Sequence, residues 1–525
     1  MAGDASTLPL KDAPIGGAGA GARRLSGERT SVLSRTSAEE RVAALTLLVI
    51  VLCSILVVVL AAERPSGLSP TTHVGFFPHW MAGPLGGIWP SLTRNVTALK
   101  FLFTGAIVVM FVAYVVGLSY VPRLRARWAI GAILAVHVIF FLAPPLALTD
   151  VFNYINYGRM EIVHHLNPYT TIPILEPHND PSYTLSNWHQ LLSPYGPLFT
   201  ILTFAVVPIG VVASFWVLKG LLAAASLLTI FLVWKCARLL GRDPVAAIVL
   251  VGLNPVVLVW GLGGDHNDFL MVLFLVLGFY LLLRARARSG GSQAAEGDGS
   301  WSGAGVAERL RGWLLPLSAF EIGAGAAFVT ATAIKASGAI LIPVVLAGLL
   351  RTPRRLAQVL LGMALATIVV AAVSLIAFGP NIPQLSSQSK LVTNVSWPNL
   401  LGLAIGSGGE SETLHHVLSG VLVVSVLLCC VQAWRRRSSI TASGWAGVTL
   451  LVTLSWVLPW YVLWVLPMAA LSKSRRLRTV ALVLSAYMII AWSPASGTLW
   501  NALDFHPEKT RLGRLNQRAV KELLN

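Results

Sequence analysis

The sequence predicts an all-α polytopic membrane protein, and three observations support that prediction. Hydrophobic residues make up 55% of the 525 positions and charged residues only 12%, whereas charged residues form about a quarter of an average soluble domain. The mean hydropathy of the chain is +0.72. Apolar runs long enough to cross about 30 Å of hydrocarbon recur along most of its length.

The net charge of +17 does not indicate a nucleic-acid partner. The basic residues form short clusters between apolar runs, which is the distribution that the positive-inside rule predicts for cytoplasmic loops. The four cysteines have neither the spacing of a zinc site nor that of a redox site, and we interpret them as packing residues: Cys53, Cys236, Cys429 and Cys430.

Residues 1–41 are rich in Gly, Ala, Ser and Thr without apolar periodicity, and are predicted to form a disordered cytoplasmic tail. Residues 498–525 form a basic C-terminal tail. Between the two tails, in 42–497, the apolar runs predict about thirteen transmembrane helices. These spans are 42–62, 101–120, 128–148, 213–234, 245–262, 267–283, 313–334, 336–350, 357–378, 416–434, 443–457, 459–471 and 478–497.

The basic clusters predict an orientation, because short cytoplasmic loops hold the excess of Lys and Arg. The N-terminal tail is assigned to the cytoplasm, and 284–312 becomes a cytoplasmic linker. The segment 198–212 is predicted to lie in the outer leaflet rather than to span, since Pro208 and Gly210 interrupt it. The predicted outer loops are then 63–99, 149–212, 263–267 and 379–415.

The side of the C-terminal tail stays open. Two spans within 443–471 would put the tail outside, against the positive-inside rule. A single broken helix there would put the tail inside but would move the cluster around Lys473 outside.

Polar and ionisable residues concentrate on the predicted outer side. Asp150 ends an apolar run in TDVFNYINYGRM, and Asp265, His266 and Asp268 fill a short loop in GLGGDHNDFLM. Ionisable groups at membrane depth are costly, so such clusters are functional-site hypotheses by default. Further candidates are two lysines at the outer edges of spans and side chains of the loop 149–212: Lys219, Lys335, Tyr154, Tyr157, Arg159, His189 and Tyr195.

Each candidate also has a structural alternative. Asp150 is suited to cap a helix that begins at Phe152. The 265–268 loop is typical of a capped turn, and its side chains are also of the types that bind divalent cations. The lysines can reach the interface by snorkelling. Tryptophans at membrane edges are usually belt residues, so no function is predicted for Trp313, Trp456, Trp460 and Trp464.

Carboxylates, cations and aromatic rings on one face of a membrane suit sugar transfer from a lipid phosphate. A carboxylate can take the proton of the acceptor hydroxyl, and cations can stabilise the departing phosphate. Aromatic faces can hold the sugar rings. Because phosphate is already stable as an anion, the leaving group needs no general acid, and one carboxylate suffices.

Several stretches resemble the GT-C superfamily of polyprenyl-phosphate-sugar-dependent glycosyltransferases. They are an acid at the outer end of an early span, a long loop that ends in SPYGPL, then GLNPVVLVWGLGGDHNDFLM, ATAIKASGAILIPVVL and LPWYVLWVLP. Within the superfamily they look most like the actinobacterial polyprenol-phosphomannose-dependent mannosyltransferases, including the α-1,6-mannopyranosyltransferases that build lipomannan. The resemblance covers residues 100–470.

The resemblance implies a GT-C-type bundle with juxtamembrane helices in the first catalytic outer loop, 149–212. It implies that Asp150 is the general base, that Asp268 holds the acceptor or supports the base, and that Lys219 and Lys335 contact the lipid phosphate. One departure is that Asp150 follows the third span and not the first, because the span 42–62 and the loop 63–99 precede it.

The expected function is therefore an inverting transfer of mannose from a polyprenyl-phosphate mannose to a hydroxyl of a lipid-anchored glycan, forming an α-1,6 linkage. The expected location is the inner membrane, with the site on its outer face, in contact with membrane lipids and with no nucleic acid. No cofactor is expected, and a divalent metal is not favoured. Alternatives are another polyprenyl-phosphate sugar such as arabinose or glucose, a lipid-linked sugar transporter or flippase, and a scaffold without catalysis.

Overall fold

The structure is a computed structural model that describes residues 18–63, 68, 79–82, 84–90, 95–146, 150–293, 317–384, 388–436 and 438–524. Within its helices the side chains of 18–37, 79, 82 and 289–293 are not described. Trp313, residues 1–17 of the predicted tail and residues 294–312 of the predicted linker therefore lie outside the described residues.

The described part of the chain is helical and contains no strand. Its α-helices are α1 (Ala18–Glu63), α2 (His79–Ala82), α3 (Val96–Tyr120), α4 (Ala126–Phe141), α5 (Asp150–His164), α6 (Pro197–Phe204), α7 (Val211–Leu239), α8 (Pro244–Gly252), α9 (Asp268–Gln293), α10 (Ala319–Ile334), α11 (Leu341–Leu349), α12 (Pro353–Phe378), α13 (Trp397–Ala404), α14 (Glu412–Arg436), α15 (Ser439–Thr453), α16 (Leu466–Leu471), α17 (Arg475–Trp492), α18 (Ser496–Ala502) and α19 (Arg511–Leu524). A π-helix at Val257–Leu262 and short 3-10 helices, among them Ala336–Ile340 and Pro459–Trp464, connect them.

Fewer helices are full-length spans than the thirteen predicted. Among the described residues, 6 helices are long and apolar enough to cross a membrane, or up to 7 if α17 and α18, bent by 80°, form one span. The remaining predicted spans correspond to shorter helices. The predicted span 245–262 is divided into α8 and the π-helix because Asn254 and Pro255 interrupt it: the Asn254 side chain accepts hydrogen bonds from the backbone N–H groups of Val256 and Val257. Apolar composition identified these segments but did not fix their length.

The first helix begins earlier than the predicted boundary at 42. α1 starts at Ala18, so 18–41 is helical and not a disordered segment. Glu39 and Glu40 pair with Arg123 and Arg125 at 2.8 and 2.9 Å, which ties this end of α1 to the α3–α4 turn.

Two helices have the surface that lipid contact requires. α12 and α14 expose large apolar side chains along most of their length, such as Ile376, which is 86% exposed. A water-soluble protein seldom exposes a continuous apolar surface of this kind. The all-α fold is therefore that of a membrane-embedded protein, as predicted.

Small residues let the central helices approach one another. A Cβ atom on Gly325 of α10 would lie 2.0 Å from the Val359 carbonyl oxygen, and one on Gly362 of α12 would lie 1.9 Å from the Ile322 oxygen. Glycines on both facing surfaces therefore bring two backbones into contact, as is common between membrane helices. α10 consequently has a fixed position, and it ends next to Lys335.

The C-terminal helix lies on the same side as the loop 149–212. The backbone N–H of Gln190 donates to the Leu523 carbonyl oxygen at 3.1 Å. α15 and α16 also run in opposite directions, since Leu450 and Leu454 line one cavity and Ser472 lines another at the far end of the bundle. Of the two possibilities left open by the sequence, the structure has the one with two segments in 443–471 and the tail beside the loop.

Candidate active site

Asp150 is the first residue of α5, so the helix begins two residues earlier than the capping hypothesis assumed. A carboxylate in the first turn of a helix is stabilised by the partial positive charge at that end. Its side chain is 14% exposed and lines a cavity. One carboxylate oxygen lies 3.3 Å from Nδ1 of His266, and the ring nitrogens of that buried histidine have no hydrogen-bond partner among the described residues.

The 265–268 loop is fixed from the side opposite the cavity. Asp265 has a φ of 56°, and its carboxylate lies 3.4 Å from the Lys219 ammonium. Lys219 also donates to the Ala143 carbonyl oxygen at 2.6 Å, and both charged side chains are 1% exposed. Burial raises the pKa of the Asp265 carboxyl, and the neighbouring ammonium opposes that rise.

This arrangement differs from the predicted role of Lys219. The residue was expected at the outer edge of a span, facing a lipid phosphate. It lies instead about two turns inside α7, buried against Asp265 and away from the cavity lining. Its contacts support the loop on which His266 lies.

Asp268, the first residue of α9, accepts three hydrogen bonds. The Lys335 ammonium donates to it at 2.7 Å, and the indole N–H groups of Trp460 and Trp464 donate at 3.1 and 2.5 Å. The carboxylate is 1% exposed and does not line the cavity. Buried charges persist when they are paired in this way, so Asp268 holds Lys335 and the two tryptophans in position.

The two tryptophans are therefore not belt residues. Trp460 is 2% exposed, and its ring stacks on His266 with centroids 3.4 Å apart and an interplanar angle of 10°. Trp464 stacks on Tyr461 at 4.2 Å, and the Lys335 ammonium lies 5.0 Å from the Tyr461 ring centre. Both indoles lie on the 3-10 helix Pro459–Trp464, and the sequence did not reveal that their N–H groups meet a buried carboxylate.

The SPYGPL stretch brings the outer loop against α10. The backbone N–H of Gly196 donates to the Ile334 carbonyl oxygen at 3.0 Å. A Cβ atom at this position would lie 2.1 Å from the Ala333 oxygen, so only glycine permits the contact. The contact joins the segment that carries Tyr195 to the segment that carries Lys335, and both residues line the cavity.

The cavity has a volume of about 450 Å³. Asp150 and Lys335 both line it, and Lys335 is the only cationic residue among the described lining residues. One part of the wall is aromatic, and another is apolar, with Ile340, Leu391 and Leu454. Sequence reasoning assigned no role to several of the lining residues: Trp188, Ser337, Gln388, Trp456, Trp460, Tyr461 and Trp464.

Other predicted residues take different positions. The Tyr157 hydroxyl donates to the Leu191 carbonyl oxygen at 2.7 Å at the cavity wall. Tyr154 is buried, and its hydroxyl accepts the Asn267 N–H at 3.3 Å. His189 stacks on Tyr183 away from the cavity, at 4.1 Å.

Arg159 is engaged inside the loop and not at the cavity. It donates to Asp180 at 2.9 Å, and His164 lies 2.8 Å from the same carboxylate. Burial alone would raise the pKa of Asp180, but hydrogen bonds from Arg159, Ser182 and His164 hold it well below its usual range. The proximity in sequence that suggested Arg159 and His189 did not correspond to proximity in space.

The described residues contain no group of three or more His, Cys, Asp or Glu side chains that could hold a metal ion.

Comparison with known proteins identifies the family to which the chain belongs. Residues 54–351 match the family model described as "Alpha-(1->6)-mannopyranosyltransferase, N-terminal domain", and residues 398–505 match the "MptB C-terminal domain". The chain is 24% identical over 440 residues to alpha-(1->6)-mannopyranosyltransferase A of Mycobacterium tuberculosis. That match covers 77% of this chain and 78% of the relative. It is 24% identical over 369 residues to the protein of the same name from Corynebacterium glutamicum. That match covers 62% of this chain and 67% of the relative.

No solved structure matches the chain. The first family model alone covers more than half of the sequence, and it includes Asp150, Asp268 and Lys335. The chain therefore belongs to the actinobacterial alpha-(1->6)-mannopyranosyltransferase family.

Proposed function

We propose that this protein transfers mannose from a polyprenyl-phosphate mannose to a hydroxyl of a lipid-anchored glycan at the outer face of the inner membrane, with inversion at the anomeric carbon. The names of its relatives support mannosyl transfer that forms α-1,6 linkages. The observation that carries the proposal is that Asp150 and Lys335 line one cavity whose wall is partly aromatic and partly apolar.

The proposed step uses those two residues in turn. The Asp150 carboxylate accepts the proton of the acceptor hydroxyl while that oxygen forms a bond to the anomeric carbon of mannose. The bond from that carbon to the phosphate oxygen breaks, and its electron pair leaves with the polyprenyl phosphate. The Lys335 ammonium offsets the charge that develops on the phosphate.

The cavity wall suits both parts of such a donor. Aromatic rings at Trp188, Trp456 and Trp460 offer flat surfaces to a sugar, and the apolar residues offer contact to a polyprenyl chain. One oxygen of the Asp150 carboxylate lies 3.3 Å from Nδ1 of His266, beside the cavity.

The test is Asp150→Asn in the purified full-length protein, with labelled polyprenyl-phosphate mannose and a short α-1,6-mannoside acceptor. Removal of a positioned base is expected to lower the transfer rate by about 10²- to 10⁴-fold. Parallel reactions with polyprenyl-phosphate arabinose and glucose identify the donor.

The matched control is Asp504→Asn, because Asp504 has a side chain that is 98% exposed and lies outside the cavity. It should keep the wild-type rate and linkage. A well-folded Asp150→Asn protein with near wild-type transfer would show that Asp150 is not the base.

A further inference from the structure

A second cavity, of about 670 Å³, lies at the other end of α7 from the candidate active site. Between Lys219 and Leu239, α7 rises about 30 Å at 1.5 Å per residue. This distance is close to the thickness of the hydrocarbon core, about 30 Å. The second cavity therefore opens near the opposite membrane surface.

Three arginines line this second cavity: Arg242, Arg475 and Arg478. They come from two basic clusters that are far apart in the sequence, one that ends at Arg242 and the one around Lys473. Within the described part of the chain, none of the three has an ion-pair partner. Asp243 is the one carboxylate among the described lining residues, and its oxygen already accepts the N–H groups of Val245 and Ala246 at 2.8 and 3.1 Å.

Arg242 has an unmet hydrogen-bonding group. Its Nε is buried and has no hydrogen-bond partner among the described residues. Burial, and after it the neighbouring Arg478 guanidinium, lowers the pKa of Arg242. A buried donor without an acceptor, close to a like charge, is costly unless an anion occupies the space between them.

Part of the remaining wall is apolar and lies between helices, with Leu118 from α3, Leu250 from α8 and Leu482 from α17. A free inorganic anion would leave this wall without a partner. A phospholipid places its phosphate at the membrane surface and its glycerol and acyl chains toward apolar side chains. Basic pockets between helices on the cytoplasmic side are known to hold anionic headgroups.

We infer that the arginine-lined cavity binds the headgroup phosphate of an anionic phospholipid of the cytoplasmic leaflet. The inference does not depend on the proposed mannosyl transfer, because it rests on a different cavity and is tested by binding. Guanidinium groups give paired hydrogen bonds to phosphate oxygens, which explains why arginines rather than lysines line the site.

The experiment is native mass spectrometry of the purified full-length protein titrated with phosphatidylglycerol or with phosphatidylcholine. Wild-type protein should bind phosphatidylglycerol more tightly. Each arginine near an anionic headgroup contributes about fivefold in affinity, so Arg242→Gln/Arg478→Gln should weaken phosphatidylglycerol binding by roughly 25-fold. Binding of phosphatidylcholine, whose headgroup has no net charge, should weaken less.

The matched control is Arg435→Gln/Arg436→Gln, which removes the same charge from exposed arginines outside the cavity and should change binding by less than about twofold. Where the first variant fails to fold, Arg475→Gln alone, at an exposed side chain, should weaken binding about fivefold. Equal weakening in both double variants, no preference for phosphatidylglycerol in the wild type, or its displacement by millimolar inorganic phosphate would overturn the inference.

Discussion

At the scale of single residues, the Lys335 side chain reaches the cavity and is also held in one position by its neighbours. Its side chain is 19% exposed, so it reaches the cavity, while Asp268 and two aromatic rings hold the ammonium from behind. An ammonium held in advance costs no reorganisation when a phosphate charge develops. This is the physical basis for assigning Lys335, and not Lys219, to the leaving group.

Lys335→Gln removes that charge at nearly constant size. We expect kcat for mannosyl transfer to fall by about 10²- to 10³-fold, since donors aimed at a developing charge contribute that much. KM for the lipid donor should change less than kcat, because the charge to be stabilised grows in the transition state. Steady-state kinetics with varied donor concentration measure both constants.

The control for Lys335→Gln is Lys509→Gln, an exposed lysine near α19 that lies outside the cavity. It should leave kcat and KM as they are. A Lys335→Gln protein that loses affinity for the donor but keeps its kcat would assign the lysine to ground-state binding and contradict the assignment to the leaving group.

The sequence predicted individual site residues unevenly. Asp150 and Lys335, which line the cavity, could be selected as candidates because a charge at the end of an apolar run has a high desolvation cost. Trp460 and Trp464 could not, because an indole at a helix end looks the same whether it faces lipid or a buried carboxylate. Burial of that kind is decided by the partner segment, here α9, and the partner segment is not apparent from local sequence.

At the scale of elements, the loop 149–212 contains a second buried carboxyl, Glu176. It is 3% exposed and follows a 3-10 helix at Pro173–Leu175. Burial, with a further contribution from the nearby Asp180 charge, raises the pKa of Glu176 to about 8, while the Arg159 guanidinium acts in the opposite direction. The folded loop therefore holds a proton on this carboxyl near neutral pH.

This proton makes the stability of the loop depend on pH. The carboxyl has a higher pKa when folded than its usual 4.5, so the stability of the closed loop is fully present below pH 4.5 and is lost as pH rises toward about 8. Loop opening, measured by hydrogen exchange of the 173–190 amides, should increase by up to about tenfold per pH unit in that window after correction for the intrinsic exchange rate.

Glu176→Gln should abolish that pH dependence, because the amide has the shape of the protonated acid and does not ionise. Glu412→Gln, at an exposed carboxylate at the start of α14, should retain the wild-type profile. Identical pH profiles for the wild type and Glu176→Gln would show that another group controls opening.

Helices were predicted better than their boundaries. Every predicted span has a helical counterpart among the described residues, because long apolar runs are satisfied in a membrane only by closing their own backbone hydrogen bonds. The short helices α8 and α16 and the π-helix were not apparent in the sequence. Their backbone is interrupted where polar side chains and neighbouring segments supply the missing partners, and these contacts are tertiary.

At the scale of the whole molecule, the two cavities lie at opposite ends of α7, one beside the loop 149–212 and α19 and the other beside the Lys473 cluster. The hydrogen bond from Gln190 to Leu523 places α19 beside the loop 149–212. Ser472 lines the arginine-lined cavity and so places the Lys473 cluster beside it. The sequence could not choose between the two positions of the tail, because each of them puts one basic cluster on the outer side.

Single cysteines test which side faces outward. In a protein with the four native cysteines replaced, Arg518→Cys should react nearly completely with a membrane-impermeant maleimide in intact cells. Lys473→Cys should react only after the cells are permeabilised, because it lies at the other end of the bundle, and both positions are exposed to solvent. The reverse pattern would put the candidate active site in the cytoplasm and overturn the proposed location.

The three hydrogen bonds to Asp268 also bear on how the protein is made. Asp268 leaves the ribosome before Lys335, and well before Trp460 and Trp464, so α9 must enter the bilayer with a carboxylate that has no partner yet. That charge keeps the end of α9 hydrated until the later segments insert. We therefore expect the surroundings of Asp268 to be the last part of the bundle to exclude water during biogenesis, after the segment with Trp464 has docked.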